Sequence, residues 1–404
     1  MSRPMTFFCI ATFFKGLDFL RACKAAGNTV LLLTKKSLEN EAWPWEAIDE
    51  VFYVEHDNNA PENMQLIKDG LAFVMRNRKI DRIVSLDDFD VEKGAFLREE
   101  FRIPGMGQTT ARHFRDKLAM RMKAAEAGIP IPAFSPLFND QEIHDFINQV
   151  APPWLVKPRA EASAIGIKKI HTSDELWEVL NKLGNDRHLY LIEQYKPGDV
   201  YHADSLTAGG EVLFCRVSQY VNTPLDVAHG GGIFRTATVE FNGSDDKALQ
   251  KLNADVMKAF GMQFSASHTE FIKSKEDGTF YFLETSSRVG GAHIAEMVAF
   301  SAGISLWEEW AKIESAEAYG VSYVLPPVTK EYTGIIVSLA RFQHPDDSSF
   351  DDPEIVWRLR REHHIGFIIK ATSRERVLSL LEQYAQRIAQ DFHAAAPPKE
   401  HATN

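Results

Sequence analysis

The sequence has few cysteines, no excess of positive charge and no apolar run long enough to cross a membrane. Its three cysteines, Cys9, Cys23 and Cys215, are scattered through 404 residues, and this fits neither a metal-binding spacing nor a disulfide framework. The formal net charge of −11 argues against nucleic acid as a main partner, because a phosphate backbone requires clustered lysine and arginine. We therefore expect a protein of a reducing compartment with neither nucleic-acid nor membrane partners.

The apolar run at residues 5–14, with Arg3 ahead of it, has some features of a signal peptide. Lys15 and Asp18 follow it directly, without a small-residue cleavage pattern, and the run is too short to span a bilayer. We interpret it as a buried parallel strand and predict a cytoplasmic location.

Several common nucleotide-binding motifs are also missing. The first strand-to-helix turn, Thr12–Asp18, lacks the three-glycine dinucleotide fingerprint. The chain has no Walker glycine-lysine motif and no kinase His-Arg-Asp motif, which excludes the folds that depend on them. A hydrophobic fraction of 45% and a charged fraction of 25% are those of an ordinary globular protein, and the length predicts two or three lobes.

Residues 1–105 alternate short apolar strands with helices, and this pattern predicts a parallel βαβ sheet covered on both faces. Asp87, Asp88 and Asp90 follow one strand directly, where open α/β sheets place ligands. A helix start capped at Asp90 is an equally good interpretation. The basic helix predicted over residues 110–128 would by default be a solvated face.

The stretch from His268 to His293 predicts a hairpin followed by a charged loop. An Asp-Gly turn at residues 276–278 lies between apolar, alternating runs, which is a strong hairpin signal. A three-residue loop gives a definite register, with the pairs Ser274–Phe280, Ile272–Phe282 and Glu270–Glu284. Directly opposed side chains have Cβ atoms roughly 4.5–5.5 Å apart.

Two carboxylates held so close, Glu270 and Glu284, need a proton or a cation between them. Their oxygen ligands suit Mg²⁺ that carries substrate phosphates. Arg288, four residues beyond the second acid, could meet the charge on a transferring phosphoryl group. The simpler alternative is a surface hairpin with acidic rims.

The other charged residues occur in an order that a nucleotide triphosphate site requires. Lys117 follows a basic segment, Lys157 ends a strand, and a loop of small residues at 160–166 comes next. Glu193 ends another strand, and Asp199 lies six residues beyond it. In this order and spacing the chain resembles the ATP-grasp superfamily, especially its carboxylate–amine ligase branch, which includes bacterial L-amino-acid ligases. The motifs that carry the resemblance are Ser85–Asp90, Ile103–Gly107, Arg115–Lys117, Val156–Pro158, Ile192–Tyr195 and Glu284–Gly291.

The resemblance implies an α/β fold with α+β lobes, the ATP-grasp fold. An N-terminal parallel βαβ domain would cover residues 1–110, and an ATP-grasp domain would cover 111–318, with an ATP lid at about 133–210. A C-terminal α+β lobe at 319–396 would complete a mixed-sheet catalytic domain.

The resemblance also implies roles for individual residues. Lys117 and Lys157 would hold the phosphates of ATP, with Ser163 and its loop covering them. Glu193 and the backbone of Gln194 and Tyr195 would meet the adenine, and Asp199 the ribose. Glu270 and Glu284 would ligate Mg²⁺, with Mn²⁺ as an alternative, and Arg288 would stabilise acyl-phosphate and tetrahedral intermediates. Ser286 stands where the family commonly has asparagine.

The activity implied is ATP-dependent, ADP-forming ligation of a small carboxylate to an amine, giving an amide or peptide bond through an acyl phosphate. His229 and Arg235 beside a glycine triplet, and His293 after Gly291, are the candidate substrate contacts. The alternatives are a biotin-carboxylase-like enzyme that phosphorylates bicarbonate and uses a separate carrier, and a non-catalytic ATP-binding module. The sequence identifies neither substrate; it is compatible with a homodimer but does not determine the oligomeric state.

Overall fold

The first part of the chain forms a parallel sheet. The computed structural model describes residues 3–55, 64–161, 165–225, 227 and 231–394. Strands β1 Thr6–Ile10, β2 Thr29–Lys35, β3 Glu50–Val54 and β4 Arg82–Ser85 lie in the order β3-β2-β1-β4, and every pair is parallel. Phe7 and Phe8 of β1 belong to different hydrophobic cores. The sheet is therefore covered on both faces, as the continuous apolar strands predicted.

A small antiparallel sheet follows. It contains β5 Phe134–Pro136, β6 Trp154–Pro158, β7 Lys168–Ile170 and β8 Tyr190–Gln194, in the order β5-β8-β6-β7. The predicted lid of about 133–210 also includes β9 Gly198–Ala208, but that strand pairs with the large sheet. Residues 200–207 of β9 are all buried, and such a strand needs packed layers on both of its faces.

The large sheet consists of β9 and of β10 Glu211–Tyr220, β11 Phe234–Thr238, β12 Ser265–Ser274, β13 Phe280–Ser286, β14 Tyr332–Leu339, β15 Ile355–Arg358 and β16 His364–Ala371. Its order is β13-β12-β9-β10-β11-β14-β16-β15. The pairs are antiparallel rather than mixed. Because β14–β16 extend this sheet, the last part of the chain and the central part share one layer. The domain limits at 110 and 318 stay predictions.

Helices cover these sheets. They span Leu17–Ala25, Met64–Met75, Val91–Phe101, Gln108–Arg112, Lys117–Glu126, Asp140–Gln149, Ser173–Leu183, Ser244–Phe260, Ile294–Ala302, Leu306–Tyr319 and Arg374–Asp391. The single basic helix predicted over 110–128 is two helices. Asp116 separates them because its side chain accepts the N–H of Leu118 at 2.9 Å and so caps a new helix at Lys117.

One hydrophobic core joins the N-terminal sheet to the large sheet. Phe7 of β1, Leu206 of β9 and Trp310 belong to the same buried cluster. Phe19 packs against Trp310 with ring centroids 5.0 Å apart. The N-terminal lobe is thereby fixed against the sheet that carries the hairpin. Among the helices that the structure describes, none has the length and apolarity needed to cross a membrane.

Candidate functional site

A cavity of about 440 Å³ lies between the small and the large sheet. Its wall includes Asp88 from the N-terminal lobe. Many of the residues predicted for the site line it, namely Lys117, Lys157, Glu193, Gln194, Tyr195, Glu270, Glu284 and Arg288. The structure therefore brings together side chains far apart in the sequence, such as Asp88 and Arg288, which are separated by 200 residues.

The hairpin places its two acids opposite each other, as predicted, but the register of the strands between the turn and the acids differs from the prediction. Glu270 pairs with Glu284, whereas Ile272 pairs with Tyr281 and not with Phe282. The predicted pairs Ile272–Phe282 and Ser274–Phe280 are therefore wrong. Leu283 is an extra residue in β13, a bulge that shifts the register by one between the turn and the acids. At this bulge, Arg121 Nη1 donates to the carbonyl of Leu283 at 2.5 Å.

Both acids present carboxylate oxygens to the cavity. The hydroxyl of Tyr220 donates to Glu270 Oε1 at 2.8 Å, and Lys117 Nζ lies 2.9 Å from Glu284 Oε2. Burial would raise the pKa of Glu270, but the hydrogen bond and charge of His268 and the hydroxyl of Tyr220 bring that pKa below its ordinary value. Two facing carboxylates, with the Ser286 hydroxyl on the same wall, form the hard oxygen set that Mg²⁺ prefers, so the residues fit this ion.

A second ion cluster lies on the opposite wall. The carboxylate of Glu193 is buried between Lys157 Nζ and Arg121, whose Nη2 donates at 2.8 Å. Burial would raise the pKa of Glu193, but the two cations lower it. The N–H groups of Gln194 and Tyr195 donate to backbone carbonyls at 2.8 and 3.1 Å. The predicted adenine contacts of Glu193–Tyr195 stay a prediction. Because these two N–H groups are already engaged, other atoms of the three residues would have to contact the adenine.

Arg288 is held by the N-terminal lobe. Its Nε donates to Asp88 Oδ2 at 2.8 Å, and its Nη2 contacts the same oxygen. Burial would raise the pKa of Asp88, but Arg288 and then Arg115 lower it to about 2. The strand-end interpretation therefore describes Asp88, because its side chain reaches the cavity.

The neighbouring aspartates have structural roles. Asp87 accepts the N–H of Phe89 at 3.2 Å, as a helix cap does, and pairs with Lys15 at 2.5 Å. Asp90 is buried and accepts from the N–H and hydroxyl of Thr12 at 2.8 and 2.7 Å. Of the three aspartates, Asp88 therefore lies at the cavity, whereas Asp87 and Asp90 stabilise the end of the strand.

A buried network beneath the acids was not predicted. Asp204 accepts from His202 Nδ1 at 2.7 Å and from His268 Nδ1 at 2.8 Å. Burial would lower the pKa of His268, but Asp204 raises it to about 10. The three side chains lie close enough to hold a metal, but Asp204 already engages both Nδ1 atoms, so we interpret them as a hydrogen-bonded support. Strand alternation could have indicated His268, because residues two apart share a face.

Three predicted residues point elsewhere, and none of the three is among the described residues that line the cavity. Asp199 lies 3.4 Å from Lys275 Nζ, Arg235 Nη1 pairs with Glu382 at 2.7 Å, and His293 Nδ1 lies 3.1 Å from Glu296. Alternation along β9 and β11 explains the first two, because Val200 and Phe234 face the cavity instead. Ser163 and His229 lie outside the described residues.

Replacing the half-exposed Asp199 is expected to have little effect on nucleotide use. Asp199→Asn should change the KM for ATP by less than about threefold, because the Asp199 side chain is not among the described residues that line the cavity and its exposed ion pair with Lys275 contributes only about 0–1 kcal/mol to stability. Steady-state kinetics with varied ATP would check this. A rise of tenfold or more would instead support the predicted ribose contact.

No family model matches the sequence. The chain is similar to the L-arginine-specific L-amino acid ligase of Bacillus subtilis, with 28% identity over 254 residues that cover 61% of this chain and 60% of that protein. It is also similar to the D-alanine–D-alanine ligase of Neisseria meningitidis, with 21% identity over 188 residues that cover 46% of this chain and 61% of that protein. These matches span less than two thirds of the length of either relative.

Solved structures match over nearly the whole chain. The L-amino acid ligase from Bacillus licheniformis has a TM-score of 0.74 at 17% identity, over 99% of this chain and 100% of that one. N5-carboxyaminoimidazole synthetase from Staphylococcus aureus, complexed with ADP, has a TM-score of 0.71 at 14% identity, over 96% and 98%. The biotin carboxylase from Campylobacter jejuni has a TM-score of 0.68 at 13% identity, over 93% and 89%. At these identities the likeness establishes the fold.

Proposed function

We propose that this chain, which has the ATP-grasp fold that its sequence predicted, is an ADP-forming carboxylate–amine ligase. It would join an acid to an amine through an acyl phosphate, giving an amide or peptide bond. The observation that carries the proposal is the opposed pair Glu270–Glu284, with Lys117 and Arg288 on the wall of the same cavity. Facing acids, a lysine and an arginine are the groups that phosphoryl transfer requires.

ATP would lie between the two sheets. Lys117 and Lys157 would meet its phosphates, and the apolar wall that includes Leu155 and Ile167 suits a base. Glu270 and Glu284 would hold Mg²⁺, or Mn²⁺ with the same ligands, and the bound ion would neutralise phosphate charge. The ADP complex of the carboxyaminoimidazole synthetase and the beta-gamma-ATP complex of the biotin carboxylase, which share this fold, support the use of ATP.

The carboxylate substrate would be placed against Arg288. One of its oxygens attacks the γ-phosphorus of ATP, the bond to the bridging oxygen breaks, and ADP leaves. An amine nitrogen then attacks the acyl carbon, phosphate leaves, and the nitrogen loses a proton. Because Asp88 already fixes the guanidinium of Arg288, its charge is positioned for both transition states before substrate arrives.

The acyl phosphate must be kept from water, because it hydrolyses. Lys117 contacts both walls of the cavity, and a cavity held closed by such contacts would keep water out. Its Nζ donates to the carbonyl of Glu161, beside the loop after β6, at 2.6 Å and contacts Glu284 on the opposite side at 2.9 Å. A nucleotide phosphate that binds Lys117 would therefore affect the contacts of Lys117 with both walls.

Amino acids are the substrate class we propose for both acid and amine. The curated relatives are by name an L-amino acid ligase and D-alanine–D-alanine ligases, which supports amine ligation over the bicarbonate alternative. The intact acid pair with Arg288 supports a catalyst over a binding module. We also propose a cytoplasmic location, supported by the three free thiols.

A substrate panel tests the function. With ATP and Mg²⁺, pairs drawn from the twenty L-amino acids should release ADP and phosphate at least about tenfold faster than ATP alone, because without them the site lacks the carboxylate that accepts the phosphoryl group and the amine that displaces phosphate. Coupled ADP detection and mass spectrometry of the dipeptide would measure this. Release with bicarbonate and a biotin acceptor alone would support the carboxylase alternative, and tight ATP binding with no substrate-dependent release would support the binding module.

A further inference from the structure

Asp88 uses only one of its two carboxylate oxygens. Oδ2 accepts both contacts from Arg288. Oδ1 is buried and has no hydrogen-bond partner within the described part of the chain. Asp88 itself is 4% exposed and lines the cavity. A buried carboxylate oxygen without a donor is unfavourable, so this oxygen is suited to a donor that arrives with a ligand.

No cation among the described residues donates a hydrogen bond to this oxygen. Arg115 lines the same cavity, but its guanidinium stacks 4.4 Å above the ring of Phe89 and makes no hydrogen bond to Asp88. Lys15 pairs with Asp87 instead. This acceptor is the buried oxygen of an ionised side chain that belongs to the cavity wall, and the ligand group that matches it is a cationic donor such as an ammonium.

We propose that Asp88 Oδ1 binds the α-ammonium group of the amino acid whose carboxylate is activated. Asp88 would then be the residue that selects α-amino acids over simple carboxylic acids. The inference rests on the proposed ligase function and assigns a specificity to its acid subsite. Arg288, placed at the reacting carboxylate, is hydrogen-bonded to Asp88 itself. A group that binds next to Arg288 and one that reaches Oδ1 are therefore neighbours, as carboxylate and ammonium are on one α-carbon.

Selectivity for amino acids over deaminated acids follows from the state of Asp88 Oδ1 in the two complexes. Without an ammonium group, Oδ1 stays buried and unpaired in the complex, whereas an amino acid supplies a charge-assisted hydrogen bond. Such a bond contributes enough to make an amino acid a better substrate by about 10- to 100-fold. The preference should appear in kcat/KM for the acid, because the ammonium is bound in both ground and transition states.

The test compares each L-amino acid of the panel with its deaminated analogue, for example L-leucine with 4-methylpentanoate. Hydroxylamine serves as the amine, so that every acyl phosphate is converted to a hydroxamate and a second amino acid is not needed. The full-length chain and its Asp88→Asn variant are assayed side by side. Asp87→Asn is the matched control, because Asp87 pairs with Lys15 and does not line the cavity.

In the unmodified chain, amino acids should exceed their deaminated analogues by about 10- to 100-fold in kcat/KM, and Asp88→Asn should reduce this ratio to within about threefold of unity. Asp87→Asn should preserve the ratio. Equal use of both acids by the unmodified chain would overturn the inference. So would an equal loss for both acids in Asp88→Asn, since that would mean Asp88 only positions Arg288. If no acid yields a hydroxamate or ADP, the proposed ligase function itself fails.

Discussion

Glu284→Gln is expected to lower kcat for amino-acid-dependent ADP release by about 10³-fold or more. The change keeps the size of the side chain but removes one of the two facing carboxylates and its ion pair with Lys117. Loss of a ligand to a catalytic cation removes several kcal/mol of transition-state stabilisation, and each 1.36 kcal/mol is about tenfold in rate. The fold should be unaffected, because the side chain of Glu284 is 32% exposed and such ion pairs contribute little to stability.

Glu276→Gln provides the matched control for this variant. Glu276 lies in the turn of the same hairpin and pairs with Lys196 at 3.1 Å, with 55% of its side chain exposed. It should retain activity within about twofold. The two variants are compared by kcat at saturating ATP and by thermal unfolding. If Glu284→Gln kept more than about a tenth of the activity, the assignment of Glu284 as a metal ligand would be wrong.

Arg121→Met is expected to lower the free energy of unfolding by about 3–5 kcal/mol, the usual effect of removing one partner from a buried ion pair. Arg121 is completely buried and connects the two sheets: it donates to Glu193 in the small sheet and to the carbonyl of Leu283 in the large one. Methionine fills similar space but leaves the buried Glu193 carboxylate short of one cation and removes the hydrogen bond to the Leu283 carbonyl.

Lys123→Met is the control on the same helix. Lys123 pairs with Glu126 at 3.1 Å near the surface, so its loss should cost less than about 1 kcal/mol. Urea unfolding of both variants, followed by fluorescence and by circular dichroism, gives the comparison. Equal effects of the two substitutions would show that the Arg121 cluster does not hold the sheets together.

The buried cations show where sequence reasoning reached its limit. Arg121 lies in a run of basic residues whose default interpretation was a solvated face, yet it is buried. Lys117 of the same run, which the resemblance assigned to the ATP phosphates, is buried as well. Their partners come from far along the chain: Glu193 is 72 residues from Arg121, and Leu283 is 162 residues away. Helical periodicity describes only the faces of the helix itself. The groups that pair with its buried cations belong to strands, and only the tertiary structure determines where those strands lie.

Features set by local geometry were predicted better. The opposition of Glu270 and Glu284 followed from a hairpin whose two strands are close in sequence, and the parallel N-terminal sheet followed from continuous apolar strands. The positions of Asp199 and Arg235 did not follow. Each lies on a strand of the large sheet, and alternation gives two faces without saying which one meets the cavity.

The bulge at Leu283 affects which changes in the length of its turn this hairpin can tolerate. The register of the turn and the register of the acids are set separately, because the extra residue lies between them. In an unbroken ladder, adding or removing one turn residue would move every following side chain to the opposite face. Here a loss of one residue near Lys275–Gly278 can be absorbed by closing the bulge, with Glu284 still facing Glu270. The turn of the hairpin can therefore lose one residue without moving Glu284 out of its position opposite Glu270.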